Sequence, residues 1–142
     1  WFGFSLSELF LRLDPELGTE LSGELRLLLT RERKPGAPKP PGWSQASLAA
    51  PGRDEKVLRM RLSPGIDEPV LDDQGKACGS GRAGAILELS IAMGALGLSP
   101  GDVLGLSVRV MRDDVELDRL PRYGELSLVL PDRGFERANW RV

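Results

Sequence analysis

The sequence predicts an all-β domain, a two-sheet antiparallel β-sandwich with at most a short helical turn. Three observations carry that expectation. Apolar residues recur at every second position in several short runs, the period of a strand with one buried face. Glycine, proline and aspartate cluster between those runs at short intervals, as turns require. No long window shows the spacing of an amphipathic helix. About eight short strands in 142 residues fit a sandwich, with a closed barrel as the alternative architecture.

The elements follow in order. Leu9, Leu11 and Leu13 alternate with Phe10 and Arg12 as a strand, and Asp14-Pro15 with Gly18 makes a turn. Leu25, Leu27 and Leu29 form a second strand, expected to be the hairpin partner of the first. Residues 31–42 hold Pro35, Pro38, Pro40 and Pro41 with Gly36 and Gly42, and proline cannot donate to a ladder, so a Pro-rich loop is expected there. Arg31, Arg33, Lys34 and Lys39 make that loop basic, but no aromatic is interleaved for an anionic partner. Residues 43–49 suggest a short strand, and 57–62 alternate as another, closed by Ser63-Pro64-Gly65. Residues 68–72 are ambiguous. Residues 74–84, with Gly79-Ser80-Gly81, predict a flexible turn, since the Gly-Lys-Ser/Thr ending of a phosphate loop is missing.

Ala85, Leu87 and Leu89 mark a further strand, and residues 91–98 fit one helical turn. Ser99-Pro100-Gly101-Asp102 is a turn. Leu104, Leu106, Val108 and Val110 give the clearest half-buried strand. Residues 112–118 read as a charged loop. Leu126, Leu128 and Leu130 make the last strand, before a tail holding Phe135 and Trp140. Leu11, Leu27, Leu87, Leu106, Val108 and Leu128 are expected to face inward. Residues 1–142 read as one domain, large enough to bury a core without a disulfide or metal.

Composition narrows the chemistry. There is no histidine, which removes the commonest general base and most transition-metal sites. The net charge of −2 gives no global case for nucleic acid or an acidic membrane. The most apolar stretch, residues 83–98, is interrupted by Glu88 and Ser90 and is too short for a membrane span. Cys78 has no disulfide partner, which fits a reducing compartment or a disulfide-free fold, and a cytoplasmic location is expected. The opening Trp1-Phe2-Gly3-Phe4 suggests a piece of a longer protein.

Both ends of the chain carry a resemblance. Phe2-Gly3-Phe4 precedes Leu9-Phe10-Leu11-Arg12-Leu13-Asp14. Later come Leu87-Glu88-Leu89-Ser90-Ile91, Ala95-Leu96-Gly97-Leu98 and Pro100-Gly101-Asp102, then Leu104 to Val110, Glu116 to Gly124, Leu126 to Pro131, Phe135 and Asn139-Trp140-Arg141-Val142. This ordered set resembles the C-terminal β-domain of bacterial glycoside hydrolase family 57 proteins, which act on α-glucans. The strand, Leu-Gly and Pro-Gly-Asp pattern also looks like family 9 carbohydrate-binding modules. The resemblance implies a non-catalytic accessory module whose partner is an upstream catalytic domain of the same chain, with α-glucan as a further partner. It carries no catalytic residue onto this chain.

The residues themselves leave three functions open: a structural module docked on a catalytic barrel, a carbohydrate-binding module, or a protein-interaction sandwich unrelated to sugar. Docking predicts a broad exposed apolar face. Sugar binding predicts exposed aromatic rings, for which Trp43 and Tyr123 are the candidates. Asp72-Asp73 and Asp113-Asp114 are pairs of carboxylates, but both read as solvated turn residues rather than a glycosidase pair. Asp113, Asp114, Glu116 and Asp118 are the candidate calcium ligands, without the pattern of an EF-hand. No catalytic residue and no cofactor are expected.

Overall fold

The computed structural model describes residues 2–15, 21–32, 41–45, 52–132 and 134. Its strands are β1 (Phe2–Phe4), β2 (Glu8–Leu13), β3 (Gly23–Glu32), β4 (Ser44–Gln45), β5 (Arg53–Leu62), β6 (Asp67–Asp72), β7 (Ala77–Ala83), β8 (Leu87–Ala92), β9 (Val103–Arg112), β10 (Val115–Leu120) and β11 (Leu126–Val129). One 3-10 turn, Met93–Leu96, follows β8 and ends on Gly97 in the left-handed conformation. The all-β expectation holds, and every pairing between strands is antiparallel.

The expected pair of layers is realised as one curled sheet. The order runs β1-β2-β8-β7-β6-β5-β3-β9-β10, with β11 beside β10 on the outer edge of β9 and β4 on β5. The sheet narrows sharply at one place. β3 and β5 are in register from Gly23↔Leu62 to Glu32↔Arg53, but β5 and β6 share only Leu58↔Asp72 and Arg59↔Leu71. At this seam the sheet folds its apolar face onto itself. Leu9, Leu11, Leu87, Leu89 and Ile91 from one half join Leu25, Leu27, Leu29, Leu58, Leu104, Leu106, Val108 and Leu128 from the other in a single buried cluster. All six residues expected to face inward are in it.

Four local expectations are corrected. β2 does not form a hairpin with β3; it pairs with β1 and β8, while β3 pairs with β5 and β9. Proximity in sequence loses here to the match of Leu9 and Leu11 with Ile91 and Leu89 across the ladder. The Pro-rich loop begins later than expected, because Arg31 and Glu32 still belong to β3; residues 33–40 lie outside the described residues. The charged stretch 112–118 is a tight hairpin instead of a loop: Asp113 and Asp114 both have positive φ, as a two-residue turn of matching twist requires, and β10 starts at Val115. The short strand expected over 43–49 covers Ser44–Gln45, and residues 46–51 lie outside the described residues. Phe135 and Trp140 do too.

The fourth correction concerns the glycines of residues 74–84. Instead of a flexible turn, Ala77–Ala83 is a central strand between β6 and β8. Glycine is needed there for space. A Cβ on Gly79 would fall into the carbonyl of Ser90 and lie 3.0 Å from the Ile91 Cα. One on Gly81 would lie 2.7 Å from the Leu89 Cβ and 2.9 Å from the Glu88 oxygen. Glycine inside a strand commonly marks such a close approach. Gly79→Ala is therefore expected to lower stability in urea unfolding by about 2 kcal/mol, as overpacking does. Gly94→Ala, with open space around it, is expected to change stability little. Equal effects of the two would contradict this account of β7.

Candidate functional site

One end of the core is polar. β5 alternates regularly, and the face that buries Leu58, Met60 and Leu62 also buries Asp54 and Lys56 toward its start. The Lys56 ammonium donates to the Gly42 carbonyl at 2.8 Å and to Asp72 Oδ2 at 3.1 Å, and lies 3.9 Å from Asp73 Oδ1. Asp72 Oδ1 accepts from the amides of Gln74 (3.0 Å) and Lys76 (2.9 Å). Burial alone would push the Asp72 carboxyl upward, but these two amides and Lys56 outweigh it and hold the group below the usual carboxylate range. Asp72 is thus a buried, charge-paired clasp and not the wet turn residue expected, while Asp73 is exposed.

Trp43 lies beside this end of the core. It is 2% exposed, and its indole Nε1 donates to the Leu96 carbonyl at 2.8 Å. The Arg31 guanidinium sits over the ring, 5.8 Å from its centroid. The ring is therefore a core residue and offers no open platform, which corrects its sequence-based role as a sugar contact. Its residue type could not reveal this, since the segment that leads into it is Pro-rich and polar. Tyr123 lies at the other extreme, 87% exposed in the bend between β10 and β11.

The four candidate calcium ligands do not converge. Among the described residues no group of three or more acidic or thiol ligands could hold a metal. Asp113 and Asp114 form the hairpin turn, and Asp114 accepts from Arg26 at 2.8 Å. Glu116 takes a bidentate pair from Arg119, 2.8 and 2.9 Å, and a bulge separates it from Asp118. The Arg119 pair lowers the Glu116 pKa.

Three surface features were missed by sequence reasoning. The first is an open groove of about 450 Å³ on β2, β8 and β7. On its floor the outward residues form cross-strand rows: Phe10, Ser90 and Ser80 in one, Arg12, Glu88, Arg82 and Asp67 in the next. Arg12 lies 3.9 Å from Glu88 and Arg82 3.6 Å from Asp67, so this charge row alternates in sign. The second is an apolar fringe at the sheet edges, beyond which no further strand lies among the described residues. Phe2 and Leu6 are exposed beside the β1 edge, and Val115, Leu117, Leu120, Tyr123, Leu126 and Val129 line the β10–β11 edge, with Val103 opposite Val129. The third is a row of arginines crossing β5, β3, β9 and β10. Each depends on which strands are neighbours, which periodicity cannot supply.

No family profile matches this chain, and neither does any curated protein or solved structure.

The Lys56–Asp72 clasp yields a prediction in two parts. Removing one partner of a buried pair leaves the other uncompensated, so Lys56→Met is expected to cost about 3 kcal/mol in chemical denaturation. Because the folded-state pKa of Asp72 lies below its unfolded value, its share of stability is fully present above about pH 4 and is lost as the pH falls through the folded value. Asp72→Asn is expected to lower stability at neutral pH and to flatten the loss seen in acid. An Asp72→Asn protein with the wild-type acid profile would show that this carboxylate does not carry it.

Proposed function

We propose that this chain is a non-catalytic accessory β-domain of a glycoside hydrolase family 57-like enzyme acting on α-glucans, docked on the catalytic region that precedes it. One observation carries the reading. Among the described residues, nine of the ten exposed large hydrophobic residues lie beside edges of the sheet that carry no further described strand, at β1 and along β9–β10–β11. Exposed strand edges offer unpaired backbone groups, and an apolar fringe on them costs solubility unless something covers it. In the proposed parent chain the segment before Trp1 arrives at the β1 edge first. The carboxylates of the β2–β8–β7 groove fit a non-catalytic role: Asp67 and Glu88 are open to water and face arginines, a poor setting for a dry acid/base pair.

A second reading rests on the β2–β8–β7 groove. An aromatic side chain, two hydroxyls and alternating charges over about 450 Å³ suit one or two sugar rings, with Phe10 against the apolar face of a ring. It makes this chain a carbohydrate-binding module whose platform is Phe10 rather than Trp43.

Amide hydrogen exchange separates the two. In the docked reading, amides of Val115–Leu120 and Leu126–Val129 are expected to exchange at least tenfold more slowly when the chain is expressed with its upstream region than when expressed by itself. Equal exchange in both would remove the docking proposal. Maltooligosaccharide is expected to give no saturable heat with the isolated chain. Saturable binding tighter than about 100 μM, abolished by Phe10→Ala, would instead establish the groove as the functional site.

A further inference from the structure

The arginine row is the feature that folding stability explains least. Arg59 stands directly opposite Arg26 across the β5–β3 ladder, Arg26 opposite Arg109 across β3–β9, and Arg109 opposite Arg119 across β9–β10. Like charges directly opposite one another are destabilising. Acidic neighbours relieve part of the row. Arg26 pairs with Glu24 and Asp114, and Glu116 serves Arg119 and, at 3.6 Å, Arg109. The relief stops at β5. Arg59 is exposed and has no ion-pair partner among the described residues, whereas Arg61, next but one on the same strand, stands opposite Glu24. Among the described residues the Arg109 Nε is buried without a hydrogen-bond acceptor, its nearest carboxylate being Glu116 Oε2 in the ion pair at 3.6 Å, and a donor left so normally calls for an explanation.

A hollow of about 180 Å³ lies at this place. Its walls are Arg26, Arg59 and Arg109 together with Leu28 and Val57, which face each other on the next row but one. Three guanidinium groups thus meet two aliphatic side chains over a space of about one sugar ring. Guanidinium forks match carboxylates in plane and spacing.

We propose that this face binds an acidic saccharide, with the carboxylate of one uronate ring on Arg59 and Arg109 and the apolar face of the ring against Leu28 and Val57. The inference is independent of the docking reading and concerns a different face from the β2–β8–β7 groove. Geometry favours a sugar acid over an acidic peptide. Arg59 and Arg109 flank Arg26 on either side of β3, two strand spacings or about 9.6 Å apart at the backbone, whereas same-side residues of an extended peptide repeat at about 6.7 Å. Nucleic acid is disfavoured because no aromatic side chain lines the hollow and the chain carries a net charge of −2. The anion relieves the uncompensated arginine, and the two aliphatic walls give it a reason to be a ring rather than a bare phosphate.

Calorimetric titration of the whole chain with a trimer of galacturonic acid tests this, beside maltotriose and inorganic phosphate. Saturable binding of the acidic trimer is expected, weakened at least tenfold by Arg59→Ala and by raising the salt from 50 to 500 mM. Arg82→Ala, in the groove on the other half of the sheet, is expected to leave it unchanged, and maltotriose is not expected to compete. Both arginines are exposed, and unchanged melting temperatures would show that the variants are folded. No saturable binding overturns the proposal. So does equal weakening by Arg82→Ala, which would mean diffuse electrostatics, or phosphate binding as tightly as the trimer, which would mean an anion site with no use for the ring.

Discussion

Lys56 is the constraint on which most of this structure turns. Its ammonium is buried at the place where the sheet is weakest, since β5 and β6 share only two residue pairs. There it reaches across the seam to Asp72, which itself organises the tight turn leading into β7 through the Gln74 and Lys76 amides. It also holds the carbonyl of Gly42, the residue before the buried Trp43. One charge therefore ties together the two halves of the sheet and the Gly42–Trp43 step. A buried charge is costly, and this one is tolerated because each partner is an oriented oxygen. An apolar side chain could fill the same volume, but it could not fix the register of three separate segments.

The sequence made the strands of the core legible and their neighbours illegible. Alternation located β2, β3, β5, β8, β9 and β11 because each has one buried face, and the same alternation named inward residues such as Leu27 and Leu106. It failed on β7, where the buried positions are Cys78, Gly81 and Ala83 and the apolar signal is nearly absent. Gly79 and Gly81 are glycines because β8 and Met60 leave no room for a Cβ, a fact of the folded neighbourhood and not of the local sequence. β10 was hidden for the opposite reason: as an edge strand it buries almost nothing, so Val115–Leu120 shows no clean period.

The candidate sites followed the same rule. Residue type picked Trp43 as a platform, yet its one polar atom finds the Leu96 carbonyl and its ring finds Arg31, so it belongs to the interior. Four acids close in sequence suggested a cation site, yet the hairpin at Asp113-Asp114 and the bulge before Asp118 disperse them, with Asp114 on Arg26 and Glu116 on Arg119. Conversely, Arg59, Arg26 and Arg109 are far apart in the chain, and nothing in the sequence says that they meet. Register places them in one row, and register is set by the long ladders on both sides of β3.

The two outward charge rows of the sheet show what distinguishes a solvated face from a binding one. Arg12, Glu88, Arg82 and Asp67 alternate in sign from strand to strand, so each charge meets an opposite neighbour and the row is complete by itself. Arg59, Arg26, Arg109 and Arg119 repeat one sign, and their acids come from flanking positions on β3, β10 and the hairpin turn. Glu24 stands on β3 opposite Arg61, and Asp114 and Glu116 lie toward the β10 side; none of them is ion-paired with Arg59. An exposed ion pair contributes little to stability, so neither row is explained by folding energy. The difference lies in what remains to be satisfied: the first row has no charge unmet, and the second ends on a guanidinium facing a hollow with apolar walls.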